Sequence, residues 1–535
     1  MPTLTWVGKD KVVNHHHDVP FRVLNRTEQF RSTAAGAPTN TFNNRIIQGD
    51  NLEALKSLLP EFEGRVDCIY IDPPYNTGNE GWIYNDNVND PKLKKWLGQV
   101  VGKEGEDLSR HDKWLCMMYP RLKLLHRLLA KDGLIFISLD DTEASHARVM
   151  LDEMFGYGNF MAAIAWEKRY TRSNNAKLFY SLKDTILVYR KSSHLTEVKE
   201  GRTAKADANY SNQDDDPRGP WMTSSYVNPA TRERRANLVY EIEAPDGRII
   251  EHPTHAWKYS YEEHCKHKAE KRLWWGQNGD AIYPRLKLYL WEASGMVPVD
   301  LWSYRDSGTT DLGGQEIKSI FGSAVFDTPK PTTLIERILK IAAAPNAIVL
   351  DSFAGSGSTA HAVLKLNAED KGNRQFILIE TMDYADTITA ERVRRVMNGY
   401  GEGEGRTLPL GGGFDYFTIG EPIFESEDQL NEDAGTQAIR DYVAYAEGIP
   451  SEYRTDADNP FSPHLLGLSP DMAWIFNYTP GEATCLNMDY LATLKFGAEK
   501  PPRAIVYADR CLLTKEFMML HGLTFKKIPR DITRF

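Results

Sequence analysis

The 535-residue chain has little cysteine, no long apolar run and no excess of positive charge, and each shortage narrows what it can be. Its five cysteines, Cys68, Cys116, Cys265, Cys485 and Cys511, are scattered without C-x-x-C spacing. That argues against a disulfide framework or a cysteine zinc site and for a reducing, cytoplasmic compartment. No apolar stretch is long enough to span a bilayer, and the N-terminal stretch is polar and charged. Neither a membrane span nor a signal peptide is expected. His15-His16-His17 has no carboxylate cluster beside it, and adjacent imidazoles converge poorly, so no metal is expected. The 64 Lys and Arg fall short of the 74 Asp and Glu, and the net charge of −10 at first sight disfavours a nucleic-acid partner.

The charge is unevenly spread. Between Gly401 and Pro460 fourteen acids face three basic residues, so the rest of the chain is nearly neutral. From Trp166 to Lys191 seven basic residues face two acids, with Tyr170, Phe179, Tyr180 and Tyr189 interleaved. Such a stretch, with Lys168, Arg169 and Arg172, suits phosphate neutralisation and stacking, and equally suits an amphipathic hairpin with solvated charges.

The most informative residues are Asp72-Pro73-Pro74-Tyr75, which end the apolar run Val66-Asp67-Cys68-Ile69-Tyr70-Ile71. Two consecutive prolines remove two N–H donors and fix two φ angles, giving a stiff turn. The carboxylate and a proline-fixed carbonyl offer two acceptors for an amino group, and the tyrosine offers a flat surface for a base. The plain alternative is a strand-ending turn. Upstream, Arg45 to Asp50 reads as a second strand ending in an acid, and Asn51 to Leu59 has helical spacing. The three segments form a βαβ pattern with a carboxylate at each strand end.

Far downstream, Ala347-Ile348-Val349-Leu350-Asp351 predicts a strand, Ser352-Phe353-Ala354-Gly355-Ser356-Gly357 a glycine turn, and the residues from Ala360 a helix. Glycines there let a ligand approach the backbone, and a helix N-terminus favours negative groups. The next strand, Gln375 to Ile379, ends in Glu380, where a ribose diol is gripped in doubly wound nucleotide sites.

With both motifs in this order, the chain resembles the permuted amino-methylating DNA methyltransferases. Ile71-Asp72-Pro73-Pro74-Tyr75-Asn76-Thr77-Gly78 and Thr328-Pro329-Lys330-Pro331-Thr332-Thr333-Leu334-Ile335 sharpen the likeness to the Mod subunits of type III restriction-modification systems. The resemblance runs almost end to end, from Leu4-Thr5-Trp6 to Ile528-Pro529-Arg530. It implies a Rossmann-like S-adenosylmethionine-dependent α/β sheet in circularly permuted motif order, with an inserted target-recognition domain and a small C-terminal α/β domain. It implies that Asp72 and the Pro73 carbonyl hold the target amine within the Asp72, Pro73, Pro74 and Tyr75 motif, and that Tyr75 stacks on a flipped base. Asp351, Phe353, Gly355 and Gly357 would wrap the methionine moiety of S-adenosylmethionine. Glu380 would hold the ribose, Asp50 would face the adenine, and Lys330, Pro331 and Leu334 would close over the other side. The implied substrate is adenine N6 in a short double-stranded DNA site, with cytosine N4 left open. The implied partners are a restriction (helicase-nuclease) subunit and a second copy of the chain. A solitary methyltransferase and a non-catalytic DNA-specificity or scaffold subunit are the rivals.

The expected organisation is an N-terminal arm over 1–44, a first catalytic half over 45–191, a recognition domain over 192–319, a cofactor half over 320–420 and an acidic accessory domain over 421–535. The recognition segment is rich in tryptophan and turns, and Arg232, Arg234, Arg235 and Lys258 are its candidate DNA contacts. Leu134 to Leu139 reads as a further strand, ending at Asp140-Asp141. Those acids either approach the pocket or, the favoured reading, cap a helix starting at Thr142. Gly413 to Phe417 reads as the last sheet strand, and the acidic stretch after it as a solvated surface or a docking face for the restriction subunit.

Overall fold

A computed structural model describes residues 3–33, 43–75, 110–172, 177–403, 406–426, 429–456, 458–459, 461–497 and 500–532. Asn76, Thr77 and Gly78 of the extended motif lie outside them. The chain divides into two compact units, Met1–Thr196 with Val299–Phe535, and Glu197–Pro298.

The larger unit is built on a ten-stranded sheet. Its strands are β1 (Arg22–Arg31), β2 (Arg45–Gln48), β3 (Val66–Ile71), β4 (Leu129–Leu139), β5 (Phe160–Glu167), β6 (Lys183–Arg190), β7 (Leu301–Trp302), β8 (Ile348–Asp351), β9 (Gln375–Glu380) and β10 (Gly413–Pro422). Their spatial order is β1-β10-β2-β9-β8-β3-β4-β6-β5-β7. The run from β10 to β4 is all parallel. β6 pairs antiparallel with both β4 and β5. The helices used below are α1 (Asn51–Phe62), α2 (Arg110–Leu128), α3 (Ala144–Phe155), α4 (Thr310–Phe321), α5 (Thr332–Ala342), α6 (Ser358–Asp370) and α7 (Glu391–Asn398).

The central strands are apolar on both faces, as a parallel sheet covered by helices requires. Ile47, Ile69, Ile71, Ile135 and Ile137 share one core with buried residues of α1, α2 and α3. The alternate positions Ile46, Cys68, Tyr70, Leu134 and Phe136 are also buried and point to the opposite face. There α5 packs on β3 and β4, and α6 on β9. This is the doubly wound, Rossmann-like α/β architecture.

Two expectations change. β2, α1 and β3 are present, but β2 and β3 are not neighbours, because β9 and β8 lie between them. Val349, Leu350 and Phe376 to Ile379 are at most 1% exposed, and strands so apolar take central positions. The segment read as an arm also joins the fold: β1 pairs antiparallel with β10, and Trp6, Val12 and Val19 are buried, with the Trp6 indole N–H 3.3 Å from the Cys116 sulfur. Contacts more than a hundred residues apart leave no local periodicity to read.

Farther on, Leu465–Leu468, Met472–Phe476, Arg503–Ala508 and Leu523–Lys527 make the small C-terminal α/β sheet, parallel after its first pair. The smaller unit ends at Pro298, so α4 and β7 belong to the larger one. Within the smaller unit Trp221, Trp257 and Trp275 are buried, whereas Trp291 is exposed.

Candidate active site

Strand β3 lies beside β8 in parallel, with Ile69 opposite Leu350, so segments far apart in sequence leave the sheet at the same edge. Asp72 follows β3 and Asp351 ends β8. Both line one cavity with Pro73, Pro74, Tyr75, Phe353 and Gly355. The carboxyl edge of such a sheet is where open α/β folds bind ligands.

The Asp72 carboxylate meets the ammonium of Lys330, whose nitrogen lies 4.9 Å from the centre of the Tyr75 ring. The Pro74 carbonyl accepts a 2.7 Å hydrogen bond from the Trp114 indole on α2, which ties the proline turn to a helix. The Tyr75 hydroxyl donates to Asp184 at 3.3 Å, and Lys168 donates to the other oxygen of Asp184 at 2.6 Å. Asp184 itself is 1% exposed on β6. Burial, with Asp184 and Asp72 nearby, holds the Tyr75 phenol well above its usual range, so it stays neutral.

The glycine turn is braced from several sides. Asp351 accepts from the Phe353 N–H at 3.0 Å and the Thr359 hydroxyl at 2.6 Å. Glu380 accepts from the N–H groups of Gly355 at 2.7 Å and Met382 at 3.0 Å. Burial pushes both carboxyls up to about 7. Gly357 has φ +77°, and a Cβ there would stand 3.0 Å from the Thr389 carbonyl, so the turn needs glycine. Arg392, wholly buried on α7, reaches Ser358 at 2.8 Å, Ser356 at 3.0 Å and Glu316 of α4 at 3.0 Å. Glu316 in turn accepts from Thr332, and the Ser358 hydroxyl donates to the Lys330 carbonyl. One buried cation therefore fixes the Lys330 segment against the glycine turn.

Of the residues assigned to the cofactor, Lys330, Asp351, Phe353 and Gly355 line the cavity, whereas Asp50, Pro331, Leu334, Gly357 and Glu380 do not. Leu334 is fully buried in the core. Asp50 caps α1, accepting from Leu52 N–H at 2.8 Å and Glu53 N–H at 3.3 Å. Asn51 holds the Ser352 carbonyl at 3.2 Å, so this turn does reach the glycine loop.

Among the proposed DNA contacts, Lys168 and Arg169 line the cavity, with Lys168 turned to Asp184 and Arg169 donating to the Tyr180 hydroxyl at 2.7 Å. Arg172 is exposed. In the smaller unit Arg232 pairs with Glu251, Lys258 donates to Ser224 at 3.3 Å, and Arg234 and Arg235 are exposed. Asp140 accepts from the Thr142 N–H and hydroxyl, which closes a turn ahead of α3. The helix begins at Ala144 with Glu143 as its cap position, two residues later than the expected start at Thr142. Sequence reasoning missed Asp184, Glu316 and Arg392. The one available signal was an acid placed before the apolar run Thr185 to Val188.

A sequence model of the DNA methylase family matches residues 66–391. The chain is 32% identical over 469 residues to the type III restriction-modification enzyme StyLTI Mod subunit of Salmonella typhimurium, covering 81% of this chain and 69% of that protein. It is 30% identical over 379 residues to the EcoPI Mod subunit of Escherichia phage P1, covering 63% of this chain and 57% of that one. It is 31% identical over 369 residues to the type II methyltransferase M.KpnI of Klebsiella pneumoniae, covering 64% and 82%.

Proposed function

This chain belongs to the DNA methylase family, and on that footing we propose that it transfers a methyl group from S-adenosylmethionine to adenine N6 in a short double-stranded DNA site. The observation behind this reading is the convergence of Asp72, Tyr75, Asp351 and the glycine turn on one cavity through adjacent parallel strands.

The residues suit the cofactor. Gly355 brings backbone to the cavity wall without a side chain, and Phe353 offers apolar surface beside the Asp351 carboxylate. When bound, S-adenosylmethionine supplies a methyl group activated on a sulfonium. The chain's own task is to present a poor nucleophile. The adenine N6 lone pair is delocalised into the ring. Asp72 and the Pro73 carbonyl, each accepting one N–H, favour a pyramidal amine whose lone pair faces the methyl group. The Pro74 carbonyl is engaged by the Trp114 indole instead. The Lys330 ammonium presently fills the donor position at Asp72, so it must yield or share when the amine arrives. The Tyr75 ring stacks on the flipped base, and Asp184 fixes its tilt through the phenol. The aspartate at the first motif position supports adenine over cytosine N4.

The likeness to Mod subunits supports a place as the modification subunit of a type III system, acting as a homodimer with a helicase-nuclease partner. The comparable identity to a type II methyltransferase keeps the solitary enzyme as the second reading. Mass spectrometry of nucleosides from DNA treated with the enzyme and labelled cofactor separates the targets. N6-methyladenine is expected, and N4-methylcytosine alone would overturn the adenine assignment. Absence of transfer by the intact chain would favour the non-catalytic specificity subunit.

A further inference from the structure

His111, Glu143 and His146 lie outside the cavity and have no part in the reaction above. Each offers one ligand atom, and the three atoms lie within 4.8 Å of one another, making this trio the sole such group among the described residues. His111 stands in the first turn of α2, Glu143 at the cap of α3 and His146 one turn into α3. The Glu143 side chain has no solvent exposure, whereas those of His111 and His146 are 39% and 35% exposed. The Nδ1 atoms of His111 and His146 approach separate oxygens of Glu143, at 2.7 Å and 3.1 Å.

We infer that these residues form a site for a divalent transition metal of the zinc class. A wholly buried carboxylate is costly unless both oxygens are matched by positive or donating groups. Here two imidazole nitrogens approach its separate oxygens, an arrangement that a dication among the three also satisfies. Two imidazoles and a carboxylate are a common three-ligand zinc set, with a water in the fourth position. Tetrahedral zinc at bond lengths near 2.0 Å spaces its donors about 3.4 Å apart. The three ligand atoms, all within 4.8 Å of one another, need move by no more than about 1.4 Å to reach that spacing, and the exposed ring edges give the ion an entry path. The sequence hid the trio because His111 lies 32 residues from Glu143, leaving only the i,i+3 pair Glu143 and His146 as a local trace.

The site has a mechanical consequence. It joins the start of α2 to the start of α3, and Trp114, one turn along α2, holds the Pro74 carbonyl. A bound ion braces the helix that fixes the proline turn beside Asp72.

The test uses the full chain, stripped with a chelator and then titrated with Zn²⁺ by calorimetry, with metal content measured by plasma mass spectrometry. One ion per chain is expected, with proton release and with the intense visible absorption of tetrahedral Co²⁺ when that ion is substituted. His111→Ala and His146→Ala should each weaken binding by more than the roughly 10–100-fold that loss of an outer-shell partner produces. His15→Ala with His17→Ala should leave it unchanged. No stoichiometric ion, or an ion kept by both single variants and lost with His15 and His17, overturns the site. Should Glu143→Gln fail to fold, the two histidine variants decide the question. Because the readout is metal content, the result stands apart from whether the chain methylates DNA.

Discussion

At the scale of single residues, the cavity pairs carboxylates with different partners, and the partners set their tasks. Asp72 meets an ammonium where the proposed reaction places an amine. Asp72→Ala should therefore abolish methyl transfer while cofactor affinity, measured by calorimetry, persists; substantial residual transfer would sink the mechanism. Asp184 acts through Tyr75 and Lys168 without facing the base. Hydrogen bonds to a charged group contribute about 1.5–3 kcal/mol, so Asp184→Asn should lower kcat/KM for DNA roughly tenfold or more. Cofactor affinity should stay the same, and an unchanged kcat/KM would remove Asp184 from the site. Asp351 and Glu380 are pushed up to about 7 by burial. Between about pH 4 and about pH 7 the folded chain then holds protons that the unfolded chain has released. The stability they contribute is present below that window and lost as pH rises through the folded value. Asp351→Asn and Glu380→Gln should each show a flatter fall of Tm from about pH 5 to about pH 8 than the parent chain in scanning fluorimetry, and parallel profiles would refute the burial argument.

At the scale of elements, the glycine turn between β8 and α6 works only because its backbone is left-handed at Gly355 and Gly357. A β-branched residue at positive φ is strongly strained, and at Gly357 its Cβ would press on the Thr389 carbonyl. Gly357→Val should therefore lose S-adenosylmethionine binding by at least the tenfold that about 1.4 kcal/mol represents. An unchanged dissociation constant would mean that the turn does not shape the cofactor site. The network from Arg392 through Glu316 and Thr332 explains how α4 and α5, remote in sequence from the proline motif, hold Lys330 beside it.

At the scale of the molecule, the chain leaves the main sheet after β6 and returns through β7, and Glu197–Pro298 folds as its own compact unit. That unit has its own core around Tyr226, Ile242 and Trp257. A module with a separate core tolerates exchange, so replacing 197–298 with the matching segment of a relative should move the methylated sequence without abolishing transfer. Single-molecule sequencing of methylated DNA would read the change. A site that stays put would place recognition elsewhere. No helix among the described residues is long and apolar enough to cross a membrane.

The sequence by itself determined the two motifs and the strands that bear them. Asp72-Pro73-Pro74-Tyr75 and the glycine turn are local chemistry, since proline stiffness, glycine freedom and apolar runs act within a few residues. The central strands and β10 were legible for the same reason. Tertiary structure alone decided which elements are neighbours. That β8 and β9 stand between β2 and β3, that β1 closes an edge, and that Asp184 meets Tyr75 are consequences of long-range packing, which no window of sequence contains. It also made Asp50 the cap of α1, because a helix start leaves N–H groups that the nearest carboxylate satisfies. The same packing gathered His111 and His146 around the buried Glu143 carboxylate.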